Sequence, residues 1–262
     1  MTDSIQCEHR GSTAWLTLHR TAVHNAFDDG LIVALTAAVK AAGSDPAVRA
    51  VVLTGAGASF SAGADLHWMR GMADASEAEN RADSLALAGL MRSLQFCPKP
   101  TIARVNGAAY GGGVGLVACC DIAIGTEQAK FGLTEVKLGL VPAVISPYVT
   151  AAIGLRHARR LFLSGEIFDA ATALRIGLLH QVVAADALDE SVQHTLALLA
   201  KGGPIAQAEA KRLALRVAGI DETQAERLDR DNAELIARLR VSPEGQEGLG
   251  AFLAKRAPAW VD

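Results

Sequence analysis

Apolar and polar positions alternate along AWLTLH at residues 14–19, and more loosely along residues 5–9. A period of two predicts a pair of short strands, joined across Gly11-Ser12 as a sheet-edge hairpin covered on one face. The period then lengthens. Leu31, Leu35, Ala38 and Val39 fall on one stripe of a helix over residues 30–42, with Asp28 or Asp29 placed to cap it. Residues 50–53 return as a buried strand. Residues 73–80 are polar and aperiodic, which predicts a mobile loop feeding a long helix over 82–96 that carries Leu85, Leu87, Leu90, Met91 and Leu94. Cys97-Pro98-Lys99-Pro100 ends that helix, because proline lacks an N–H and biases the residue before it out of the helical region.

The stretch at 101–121, TIARVNGAAYGGGVGLVACCD, organises the rest. It reads as a strand over 101–105, a turn at Asn106-Gly107, and a helix over 114–120 with almost no polar face. Gly111, Gly112 and Gly113 precede that helix. The first turn of a helix has N–H groups without intrahelical partners and carries partial positive charge, so this junction can offer donors to a developing oxyanion. Glycine also lets a ligand's carbonyl approach the backbone closely. Taken alone, the triplet serves tight packing equally well. Downstream, Asp169 is placed to cap a helix over 170–176 that Gly177 stops, LLHQVV resumes extended structure, and helices follow over 188–200, 204–217, 222–239 and 243–255. This order is that of an α/β chain, with residues 1–200 as core and 201–262 as a helical extension.

Half of the 262 residues are hydrophobic, enough for one substantial core. The net charge of −3, without long like-charge blocks, gives no basis for nucleic-acid or membrane-surface binding. The densest basic group, Arg156, Arg159 and Arg160, reads as a solvated or ion-paired helix face. Cys7, Cys97, Cys119 and Cys120 form no CxxC pair and have no ligand spacing with the seven histidines, so they read as small buried hydrophobes and no metal is expected. MTDSIQCEHR lacks an apolar leader and no long uncharged apolar run occurs, which implies a cytoplasmic location.

The glycine triplet has company. LTGAGASFSAGADL at 53–66 is a strand end followed by a small-residue loop, and FGLTEVKLGLVP follows at 131–142. With HNAF at 24–27 and the C-terminal PEGQEGLGAFLAKRAPAW, these segments resemble the crotonase, or enoyl-CoA hydratase/isomerase, superfamily over nearly the whole chain. GGGVGLVACCDIAIG, LGLVPAVISPYV and FLSGEIFDAATALRIGLLHQVV are most similar to the bacterial methylglutaconyl-CoA hydratases within it. The resemblance implies a spiral ββα core whose C-terminal helices pack on a neighbouring copy, as trimers or dimers of trimers. It implies an acyl-CoA substrate, with CoA part of the substrate and no separate cofactor.

It also implies roles for residues. The backbone amides of Ala64 and Gly112 would hold the thioester oxygen. Ala22, His24, Ala62, Asp65 and Leu66 would line the channel for the adenine and pantetheine. His67 stands where many relatives have a lysine, so the resemblance does not carry over that phosphate contact, while Phe252 and Lys255 match positions that reach the nucleotide across a subunit boundary. The family hydratases place a glutamate two residues after the triplet, and this chain has Gly115 there. Their second glutamate corresponds to Glu135, an acid among apolar neighbours that would be costly to bury without a role. The missing side chain at Gly115 would leave room for the substrate's own carboxylate to hold a water, with Gly111, Tyr110, Ser146 and Tyr148 nearby. Ala143-Val144-Ile145-Ser146-Pro147-Tyr148 departs from the usual sequence after Pro142, so the pocket floor should differ and suit a branched or carboxylated acyl chain.

Hydration of such an ester is the leading expectation. Δ3,Δ2-enoyl-CoA isomerisation needs only one carboxylate and competes with it. Decarboxylation and thioester hydrolysis share the oxyanion hole, and an acyl-CoA-binding protein without catalysis would account for Gly115 as well.

Overall fold

The computed structural model describes residues 4–261. Strands β1 (Ile5–Arg10) and β2 (Thr13–Leu18) form the expected antiparallel hairpin, with Ile5 opposite Leu18 and Arg10 opposite Thr13. β1 is the exposed edge. β2 pairs in parallel with β3 (Ala50–Gly55) and is covered on both faces rather than one, because Trp15 falls in one apolar cluster with Leu188 and Val192 while Leu16 falls in another with Leu31 and Leu35. Cys7 lies on the edge strand and is exposed, whereas Cys97, Cys119 and Cys120 are buried as expected. Between β2 and β3 runs α1 (Asp29–Ser44), with Leu31, Leu35 and Val39 buried and Asp28 accepting from the Leu31 N–H at 2.8 Å.

From β3 onward the chain repeats one unit: a strand in a large sheet, a short strand in a second sheet, then helix. β3 leads to β4 (Ser59–Ser61), then α2 (Leu66–Asp74) and α3 (Glu77–Gln95). β5 (Thr101–Val105) leads to β6 (Ala108–Tyr110) and α4 (Gly112–Cys119). β7 (Ile122–Thr126) leads to β8 (Lys130–Gly132) and, after a 3-10 turn, α5 (Ser146–Ser164). β9 (Ile167–Asp169), α6 (Ala170–Arg175) and β10 (Gln181–Val183) complete the sheets, whose orders are β1-β2-β3-β5-β7-β10 and β4-β6-β8-β9. This is the ββα spiral that the resemblance implies. Asp169 caps α6 through the Thr172 N–H, and Gly177 follows at φ 88°.

Residues 73–80 correct the reading of that segment as a loop. All but a short break there is helical, held by a capping box in which Ser76 and Glu79 each accept from the other's N–H, and by Asn80, whose buried amide donates to the carbonyls of Met72, Ala75 and Ser76. The polar residues that break the apolar period are the ones that make these bonds. α7 (Leu188–Leu199) closes the core, and in the extension α8 (Pro204–Val217), α9 (Glu222–Arg240) and α10 (Pro243–Leu253) follow the expected punctuation. α9 lies along α3, and α10 packs on α2 and on the 3-10 turn after β8. On α5, Arg156, Arg159 and Arg160 are exposed, and Arg160 pairs with Glu166. No helix among the described residues is long and apolar enough to cross a membrane.

Candidate active site

A cavity of about 460 Å³ opens where the small-residue loop, the start of α4, the 3-10 turn after β8 and helices α2, α9 and α10 converge. The loop is fixed from behind. Arg20 donates to the Ala26 carbonyl and pairs with Asp28 at 2.6 Å and Asp65 at 3.1 Å. The Ala62 N–H donates to the His24 carbonyl, the Phe27 N–H to the Gly63 carbonyl, and the Asp65 N–H to the Phe27 carbonyl. Gly63, at φ +82°, lets the loop press against β6, since a Cβ there would fall 2.8 Å from the Tyr110 carbonyl oxygen. Of the loop amides at 62–65, the Ala64 N–H alone has no partner among the described residues.

Across the cavity, Gly111 caps α4 at φ +49° and donates its own N–H to Gly132. The Gly112 N–H, in the free first turn of the helix, has no partner among the described residues. Gly112 and Gly113 are also required for packing: a Cβ at Gly112 would strike the Phe27 ring, and one at Gly113 would lie 2.8 Å from the Ser61 carbonyl oxygen.

Glu135 opens the 3-10 turn Glu135–Leu138 and faces Gly111, its Oε1 only 3.2 Å from where a Cβ on that glycine would stand. The residue is half-buried, and its Oε2 is sealed from solvent and has no hydrogen-bond partner among the described residues. Burial pushes this carboxyl up to about 7. An acid near neutrality, beside two unpaired amides in one cavity, can take and return a proton next to a stabilised oxyanion.

The structure brings Ala62, Ala64, Tyr110, Gly111, Gly112, Glu135 and Phe252 to the cavity wall. It does not bring Ala22, His24, Asp65, Leu66, Ser146, Tyr148 or Lys255 there. Ala22 and His24 are exposed behind the loop, where His24 Nδ1 meets the Ser59 hydroxyl at 3.0 Å. Asp65 is spent on structure. Burial works against its charge, but the His67 and Trp68 N–H groups at the start of α2, together with Arg20, hold its carboxyl below the usual range. Leu66 is exposed at the start of α2, and Lys255 is exposed past the end of α10. The Ser146 hydroxyl donates to the Ala143 carbonyl, while Tyr148 is buried beside Asp229 in a separate small depression.

The room expected at Gly115 is absent. A Cβ there would strike the Ile145 side chain and lie 3.2 Å from Met91 Cε, so Ile145 fills the space a glutamate would need. From the altered sequence after Pro142, Ala143, Val144 and Ile145 line the cavity. Sequence reasoning missed Thr134, Lys137, Arg240 and Arg256 on the wall. Thr134 and Lys137 flank Glu135 closely enough for its motif to have pointed to them. Arg240 had no local signal, because the groups that orient it stand up to 160 residues away.

A family model described as enoyl-CoA hydratase/isomerase matches residues 8–262. The crystal structure of an enoyl-CoA hydratase from Shewanella pealeana shares 43% identity over 98% of this chain and 96% of its own, with a TM-score of 0.80. A 2,3-dehydroadipyl-CoA hydratase from Escherichia coli is 34% identical over 93% of this chain and 92% of its own length. A crotonyl-CoA hydratase from Syntrophomonas wolfei is 32% identical over 99% and 98% respectively.

Proposed function

The chain belongs to the enoyl-CoA hydratase/isomerase family, and from that premise we propose that it is a hydro-lyase adding water reversibly to an unsaturated acyl-CoA of branched, glutaconyl type. The observation that carries the reading is the meeting of two unpaired amides, at Ala64 and Gly112, with the unpartnered carboxyl of Glu135 in one cavity. The amides receive the thioester oxygen as it gains charge, without reorganising. Glu135 takes a proton from water while the water oxygen bonds to the β-carbon. The same proton then returns to the α-carbon of the enolate, so one carboxyl serves both steps and one water is added. A group that titrates at about 7 is suited to both roles. The hydroxyls of Tyr110 and Thr134, on the same wall, have no partner among the described residues and can hold the water. A relative named for a dicarboxylic acyl-CoA supports the carboxylated class of substrate.

One observation favours a second reading. Ile145 makes the surroundings of Gly115 apolar, so the water clamp of a two-glutamate hydratase is lacking, and a lone carboxyl suffices for Δ3,Δ2-enoyl-CoA isomerisation. Reaction in ¹⁸O water separates the two. A glutaconyl-type or 3-methylglutaconyl-type CoA ester is expected to yield a 3-hydroxyacyl product carrying the label, and faster than crotonyl-CoA does. Unlabelled double-bond migration with no hydroxyacyl product from any ester would establish the isomerase instead.

A further inference from the structure

Three cationic side chains line the cavity, and they differ in what holds them. Arg256 is committed to Glu247, with Nη1 and Nη2 reaching the two carboxylate oxygens at 2.6 and 2.7 Å. Lys137 is exposed. Arg240, the last residue of α9, is largely buried and only half used. Its Nη1 donates to Asn80 Oδ1 and Asp83 Oδ2, each at 3.1 Å, whereas Nε and Nη2 have no partner among the described residues. These two nitrogens share the edge of the guanidinium that presents two parallel N–H groups, the geometry a carboxylate accepts in bidentate fashion. The Trp68 ring, 5.6 Å from the guanidinium carbon, holds its plane.

Its position along the cavity fits an acyl terminus. Trp68 lies in the first turn of α2, four residues after Ala64, and lines the same cavity. Met69, Met72, Leu87 and Ile236 line the cavity with it as apolar side chains, and of the three cations Arg240 is the one that is both largely buried and only partly paired. Gly115 offers no seat for a substrate carboxylate, because Ile145 occupies that space.

We propose that the Nε–Nη2 edge of Arg240 receives a free carboxylate at the far end of the acyl chain, so that the cavity selects CoA monothioesters of dicarboxylic acids. This rests on the acyl-CoA reading above and adds the residue that sets its substrate class. Asp83 holds the opposite side of the guanidinium, its carboxyl pushed up to about 6 by burial and by the nearby Asp29 against the pull of Arg240.

Saturated esters bind without reacting, so calorimetry with them tests the assignment whichever reaction the enzyme performs. The wild-type protein is expected to bind glutaryl-CoA or adipyl-CoA at least tenfold more tightly than valeryl-CoA or hexanoyl-CoA, the chain-matched esters without the carboxylate. Arg240→Met should bring that ratio near unity. Arg240→Lys keeps a cation for Asp83 but offers no parallel N–H pair, and it should reduce the ratio at least threefold even if the methionine variant fails to fold. Equal binding of both classes by the wild-type protein, or a ratio that survives in the lysine variant, overturns the assignment. Failure of the hydratase reading shows separately, as missing label in the ¹⁸O product.

Discussion

Glu135 holds a carboxyl oxygen that touches neither solvent nor a donor, and keeping it charged there costs stability. The unfolded chain titrates this group near 4.5 and the folded chain at about 7. Between those values the folded state carries one more proton, so its stability falls as pH rises through the window and levels off above it, a loss on the order of 3 kcal/mol. Glutamine cannot titrate. Glu135→Gln should therefore be more stable than the parent at pH 8, with the gap closing toward pH 5 in thermal melts. It should also keep acyl-CoA binding while losing roughly 10² to 10⁴ in turnover. Parallel melting curves at the two pH values, or undiminished turnover, would count against an acid working from a sealed site. The sequence revealed Glu135 because a charge among apolar neighbours is visible locally. It misled at Gly115, because what fills a missing side chain's volume is decided by Ile145, thirty positions on.

At the scale of elements, the seam between α3 and α9 brings the extension to the cavity, since Ile236 and Arg240 are both on α9. Arg92, in the last turn of α3, donates to Asp229 of α9 at 3.0 Å and stands 3.5 Å from Glu226. Asp229 is buried, and that burial raises its carboxyl against the pull of Arg92. Removing the cation would leave an uncompensated buried acid, so Arg92→Met should cost about 3 kcal/mol near neutral pH. The loss should shrink as pH falls and Asp229 takes a proton. Urea denaturation checks this, and a loss under about 1 kcal/mol would mean the pair behaves as a surface ion pair. Caps and prolines made most helix boundaries legible, as with Asp28 for α1, Asp169 for α6 and Pro204 for α8. The short strands β4, β6 and β9 had no such signal. Three residues are too few for a period, and their pairing partners lie in distant segments.

At the scale of the whole molecule, one α-helix among the described residues has no core. α8 has no buried residue along its fourteen positions, while Ile205 and Val217 are each 79% exposed and Leu213 is half exposed. A helix of this length is marginal in water on propensity alone, and most helical stability in proteins comes from packing an apolar face. Elsewhere Leu155, Leu163 and Ile167 add further exposed apolar side chains. We propose that these faces pack on other copies of this chain, in a trimer or dimer of trimers of the kind that the resemblance implies. Light scattering at micromolar concentration should give a mass of three or six chains. Substituting Glu at both Ile205 and Val217 places charge on the exposed face of α8 and touches no buried contact of the monomer. The doubly substituted protein should run as a smaller species and lose helical signal near α8 in hydrogen exchange, while α3 and α9 stay protected. A wild-type monomer at that concentration, or a substituted protein that keeps its full mass, would mean that α8 is held by something other than another copy of this chain.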